Sequence, residues 1–104
     1  MPAYVYVVMR ARPGMEAQLE AAMREAVGRG LAEPGALRYE LLRDAADPRA
    51  LAFFGKWETR EQHRHHVAQP YVAAFHERIA DWVEHKEIRL FDAAPDAEGG
   101  PTGR

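Results

Sequence analysis

The sequence contains no cysteine. Disulfides, thiol nucleophiles, thiolate-held zinc and cysteine-ligated iron–sulfur clusters are therefore excluded. A long apolar run is also missing. The longest near the N-terminus, "AYVYVVM", falls well short of the roughly 18 residues of a membrane span, and it has neither a basic leader nor a cleavage site. Charge of one sign is nowhere gathered into a block: 14 Lys and Arg are interspersed with 16 Asp and Glu, for a net charge of −2, which leaves no electrostatic footprint for a nucleic-acid backbone. No internal repeat is present. These absences predict a soluble cytoplasmic protein with neither nucleic acid nor membrane as partner.

What is present is an ample core composition, with 47% apolar residues in 104. Residues 93–104, "AAPDAEGGPTGR", lack apolar periodicity and are rich in Gly, Pro and Ala, so a disordered tail is expected there and a single domain over 1–92. A domain of that size buries only about two thirds of the surface of its unfolded chain, and it commonly gains core by oligomerising.

The apolar period changes along the chain in a recognisable order. "AYVYVVMRA", residues 3–11, is β-branched and aromatic and closes on the turn Arg12-Pro13-Gly14, which predicts a strand. Met15, Leu19, Ala22, Met23, Ala26 and Val27 then recur at helical spacing, and Gly28 and Gly30 act as stop signals, predicting a helix over about 14–29. After Glu33-Pro34-Gly35, "ALRYELLR" alternates as a strand. Asp44 to Pro48 has hairpin-loop chemistry, and Leu51 to Glu58 returns as a strand in which Gly55 marks a bulge or a close backbone approach. Thr59 is a candidate N-cap. Gln69-Pro70 breaks the following helix into pieces over about 59–68 and 70–84. The second carries Tyr71, Ala74, Phe75, Ile79 and Trp82 on one face, and "HKEIRLFD" is the last strand.

The order β-α-β-β-α-β predicts an α+β, ferredoxin-like fold: an antiparallel sheet with its helices on one face. Tyr4, Tyr6 and Val8 point to one side of the first strand and Val5, Val7 and Met9 to the other, while Phe53 and Trp57 oppose Phe54 on the third. A sheet with one wet face alternates apolar with polar. This one does not, so a ligand, a partner chain or both are expected to cover the second face.

Four of the five histidines lie between His63 and His76. His63 and His66 stand at i, i+3 on a helix, a spacing that can share a metal, but no H-E-x-x-H motif and no Glu-x-x-His pair supplies a third ligand. Relative to an apolar face through Val67, Tyr71 and Phe75, His63 is at the edge, His66 on the flank and His65 points away. An imidazole on that flank, looking into a cleft, can take and return a proton near neutrality. His65 and His76 are expected to be solvated. For each histidine, a packed or surface role remains the competing reading.

The chain resembles the antibiotic biosynthesis monooxygenase family of dimeric α+β barrel proteins. The resemblance is carried over residues 3–91 by Pro13-Gly14, Glu33-Pro34-Gly35, Tyr39, Asp47-Pro48, Trp57-Glu58 with His66 nine residues after the Trp, and "PYVAAF" from Pro70. It implies a homodimer whose sheets pack face to face through the open side, and a pocket between sheet and helices. It also implies oxygenation of an aromatic quinol, phenol or polyketide-like substrate, with molecular oxygen as co-substrate and no metal or other cofactor. By carry-over His66 is the proton acceptor, Trp57, Tyr39 and Phe75 shape the cavity, and Tyr71 orients a substrate oxygen. Two positions depart from the pattern: Gly55 stands where many members have Glu, which implies the loss of a polar pocket contact, and His63 stands where an apolar residue is usual, which implies an altered, more polar pocket.

Three other readings compete. A haem-degrading branch of the superfamily uses a histidine at the position of His76, but Val7 stands where that branch has Asn and His66 where it has Trp. RNA-recognition modules share the topology and stack bases on strand aromatics, a role Tyr4 or Tyr6 with Phe53 or Trp57 could imitate. However, "LAFFGKWE" fits the R-G-F-x-F-V pattern poorly and the charge is acidic. The last is a non-catalytic dimeric module that binds a small molecule.

Overall fold

The computed structural model describes residues 1–95. Most of the expected tail, residues 96–104, lies outside the described residues. The elements in chain order are β1 (Ala3–Ala11), α1 (Glu16–Leu31), β2 (Ala36–Arg43), β3 (Ala50–Trp57), α2 (Arg60–Val67), α3 (Pro70–Ile79) and β4 (Val83–Asp92), with one 3-10 turn at Ala80–Trp82. The strands form one antiparallel sheet in the order β2-β3-β1-β4, the ferredoxin-like topology.

Period-2 alternation sorts β1 cleanly. Ala3, Val5, Met9 and Ala11 are buried beneath the helices, and Tyr6 and Val8 face outward on the other side. On β3, Leu51, Phe53 and Trp57 are buried on the helix side. α1 contributes Leu19, Ala22, Met23 and Ala26, and α3 contributes Ile79. Met9, Leu19, Met23, Trp57 and Ile79 are the largest fully buried side chains. Truncating an aliphatic one to Ala costs about 2–5 kcal/mol.

The structure differs from expectation at several element ends. α1 runs two residues past Arg29, so Gly28 and Gly30 do not stop it. Gly30 is a glycine for another reason: a Cβ there would collide with the edge of the Tyr39 ring at Cε2. α3 ends at Ile79 instead of continuing to 84, because Arg12 N–H donates to the Trp82 carbonyl at 2.8 Å and Val83 already pairs with Ala11 across a bulge. Gly55 is a close approach and not a bulge. Its pairing with Val5 and Tyr39 is in register, and a Cβ there would lie 3.0 Å from Val5 Cγ1.

The break at Gln69-Pro70 is present, with Gln69 extended at φ −66°, ψ 138° and Pro70 opening α3. Thr59 caps α2, its hydroxyl accepting from Gln62 N–H at 3.0 Å. The expected apolar face of α2 is corrected: Val67 is 51% exposed, and the two buried side chains of the helix are His63 and His66.

Candidate functional site

Helix α2 is short and strongly polar, so what it presents to the sheet is imidazole rather than hydrocarbon. His66 lies over Trp57 in a stacked arrangement, with ring centroids 4.5 Å apart, and Tyr39 meets it edge-on at 5.7 Å. His63 meets Trp57 edge-on at 6.1 Å.

The polar partner of His66 comes from the turn between α1 and β2. Gly35, at φ +85°, takes the left-handed conformation that lets the chain reverse there, and its carbonyl accepts from Glu58 N–H at 2.7 Å, which ties the turn to the end of β3. This places the Glu33 side chain under α2, with Oε2 2.8 Å from His66 Nδ1. Tyr71, in the first turn of α3, donates its hydroxyl to the same carboxylate oxygen. The Arg29 guanidinium sits over the Tyr71 ring, 4.3 Å from its centroid. Glu33 Oε1 is buried and makes no hydrogen bond among the described residues.

A carboxylate can only accept, so His66 Nδ1 carries a proton, and it is Nε2, which makes no hydrogen bond among the described residues, that holds the basic lone pair whenever the ring is neutral. Burial, and then the bond to Glu33, push the Tyr71 hydroxyl well above the ordinary phenol range, and burial does the same for Tyr39. Both phenols are therefore neutral across the physiological range. Burial, followed by the charges of His66 and Arg60, lowers the proton affinity of His63.

These rings enclose a cavity of about 80 Å³. All six site residues singled out in the sequence line it: Trp57, Tyr39, Tyr71, His63, His66 and Phe75. Trp57 Nε1 is buried and has no hydrogen-bond partner among the described residues. A Cβ at residue 55 would come within 3.3 Å of that nitrogen and 3.7 Å of Tyr39 Cδ1, so the aromatics occupy the room a longer side chain would need.

Of the two histidines expected to be solvated, one departs from that expectation. His65 is exposed, as expected, and pairs with Gln69. His76 is not solvated: it is half-buried, lines the cavity, and its Nδ1 lies 3.2 Å from Lys86 Nζ. An ammonium can only donate, so His76 Nδ1 is an acceptor and the neutral ring keeps its proton on Nε2, an arrangement a metal ligand would have to abandon. Among the described residues no group of three or more His, Asp and Glu is placed to hold a metal ion.

Glu33 is the site residue that sequence reasoning missed. In the sequence Glu33 reads as part of a turn, and its place in the Glu33-Pro34-Gly35 motif is the one signal of more.

The sequence model of antibiotic biosynthesis monooxygenases matches residues 2–78. No curated protein gives a significant sequence match. Among solved structures, PA3566 from Pseudomonas aeruginosa is 22% identical with a TM-score of 0.83, over 89% of this chain and 94% of that one. Rv0793 from Mycobacterium tuberculosis is 19% identical with a TM-score of 0.85, over 94% and 100%. The crystal structure of an antibiotic biosynthesis monooxygenase is 24% identical with a TM-score of 0.82, over 89% and 99%. At these identities the likeness is one of fold.

Proposed function

Because the chain belongs to the antibiotic biosynthesis monooxygenase family, we propose that it oxygenates an aromatic quinol or phenol without metal or flavin, using His66 as the general base. The observation that carries this reading is the Glu33–His66 pair beside an apolar, aromatic-walled cavity. Glu33 fixes the imidazole so that its basic nitrogen is free, and Trp57 and Tyr39 hold the ring plane from two sides.

The chemistry needs little more from the protein. His66 Nε2 removes a phenolic proton, and the electron-rich ring reduces oxygen by one electron. Recombination forms a C–O bond at a ring carbon, giving a hydroperoxide. Loss of water then breaks the O–O bond and leaves a carbonyl, with His66 returning the proton. For a hydroquinone the balance is quinol plus O2 to hydroxyquinone plus water, and the ring supplies all four electrons. The Tyr71 proton is committed to Glu33, so Tyr71 orients a substrate hydroxyl through the lone pair it has left. The cavity is about half the 150 Å³ that admits a benzene ring, so side chains at its mouth must give way as a quinol enters.

A homodimer is part of the proposal. Its support is the open sheet face, where Tyr6, Val8, Leu42 and Phe91 are each about two-fifths exposed. Oxygen-electrode turnover on a panel of hydroquinones tests the reaction. Removing a general base lowers the rate by about 10²–10⁴-fold, so His66→Ala should fall by that much, and equal rates in the two proteins would remove His66 from the mechanism.

A further inference from the structure

A second cleft, of about 260 Å³, opens where α3 meets β4, lined by His76, Ile79, Val83, Glu84 and Lys86 among others. His76 lines both the aromatic cavity and this cleft. Lys86 is the cation of the cleft. It makes no ion pair among the described residues, and its only hydrogen bond there is to a neutral acceptor, His76 Nδ1 at 3.2 Å. Glu84 also lines the cleft, but its oxygens are taken by Arg10 at 2.5 Å and Arg49 at 3.3 Å, so it does not compensate Lys86. Burial, then Lys86 and His66, make His76 hard to protonate, which keeps it the acceptor that holds the ammonium in place.

The cleft thus presents an uncompensated ammonium beside an imidazole N–H: two donors and no free acceptor of matching charge. Its other lining residues are the apolar Ile79, Ala80 and Val83 and the exposed His85. This fits an acid group carried on a hydrocarbon stem. We propose that the ligand of the aromatic cavity bears a carboxylate on a short side chain, which passes His76 and pairs with Lys86. The inference rests on the quinol reading and narrows its substrate class to a phenol or quinol carrying an acidic side chain, with Lys86 as a specificity-determining residue.

The test compares acid with ester on one ring. Binding of 3-(2,5-dihydroxyphenyl)propionate and its methyl ester is measured by calorimetry, alongside the non-quinol pair 3-phenylpropionate and 3-phenylpropionamide. The wild-type protein, Lys86→Gln and Lys86→Arg are compared, and oxygen uptake is followed separately. Lys86 is exposed, and an ion pair of that kind is worth up to about fivefold in affinity. The acids should therefore bind about fivefold tighter than their neutral partners. Lys86→Gln should abolish the difference by weakening the acids alone, and Lys86→Arg should keep it. Equal binding of acid and neutral partner in the wild type, no binding by either pair, or a preference that survives in Lys86→Gln overturns the proposal. A Lys86-dependent preference without oxygen uptake sinks the oxygenase reading and leaves the acid site standing, whereas uptake with neutral quinols and no acid preference does the reverse.

Discussion

Replacing Glu33 by Gln keeps a hydrogen-bonding group beside His66 but removes the charge and adds an amide donor that can face Nδ1. The imidazole would then be free to carry its proton on Nε2, the wrong nitrogen for a base. Turnover of Glu33→Gln should fall by at least about tenfold. Imidazole 15N shifts should show Nδ1 protonated in the native protein and a mixture in the variant; an unchanged tautomer with unchanged turnover would separate Glu33 from the reaction.

His63 and His76 make a different residue-scale prediction, about pH. Burial lowers both below the ordinary histidine value of 6.5. Between that value and their lower folded ones, the unfolded chain binds more protons than the folded one, so stability must drop as pH falls through this window. Thermal unfolding at pH 8 and pH 5.5 should give a lower midpoint in acid, and His63→Gln should show a smaller gap; an equal gap would mean His63 does not titrate in this way. Neither Glu33 nor the surroundings of His76 were legible in the sequence. Glu33 and His66 are 33 positions apart and meet only because the Gly35 turn is tied to the end of β3. His76 meets Lys86 only because the chain reverses through Ala80–Trp82.

At the scale of elements, the 3.6 and 2 periods carry the reading well, since burial alternates along β1 and β3 as the side-chain pattern requires. The Pro70 break was equally plain, because proline acts locally. Glycine misled, because the same residue serves two purposes. Gly28 meets nothing within 4 Å of a built Cβ, whereas Gly30 faces the Tyr39 ring. Only tertiary packing tells them apart, so their alanine variants should move in opposite directions. Gly28→Ala should stabilise by about 0.5–1 kcal/mol through helix propensity. Gly30→Ala should destabilise by about 1–3 kcal/mol through overpacking and push Tyr39 into the cavity. Denaturant unfolding of both variants checks the pair, and a stabilised Gly30→Ala would mean that Tyr39 is not held against α1.

For the whole molecule, the deciding feature is the sheet face that no helix covers. Tyr4 and Tyr6 pack on Phe54, with ring centroids 6.5 and 4.9 Å away, and Tyr6 meets Phe91 edge-on at 6.1 Å. Arg38, Lys56 and Arg89 each lie over one of these rings at 5.1–5.3 Å, so an aromatic stripe is rimmed by cations. A core of aromatics with a charged rim is how stable protein interfaces are built, and such an interface needs about 800 Å² from each partner. In the homodimer proposed above, a second copy would supply the same stripe. Tyr6→Glu places an unpaired charge in the middle of that contact, on the face of β1 opposite the cavity, and should convert a dimer at micromolar concentration into the 11.8 kDa monomer in sedimentation. The effect should reach the site as well. β4 is an edge strand whose Ile88 forms part of the cavity wall yet is 53% exposed, and it pairs only with β1, the strand carrying Tyr6. Loss of the partner removes the support behind both strands, so Tyr6→Glu should lose turnover along with its dimer. A monomeric variant with full activity would show that each subunit holds its own cavity unaided.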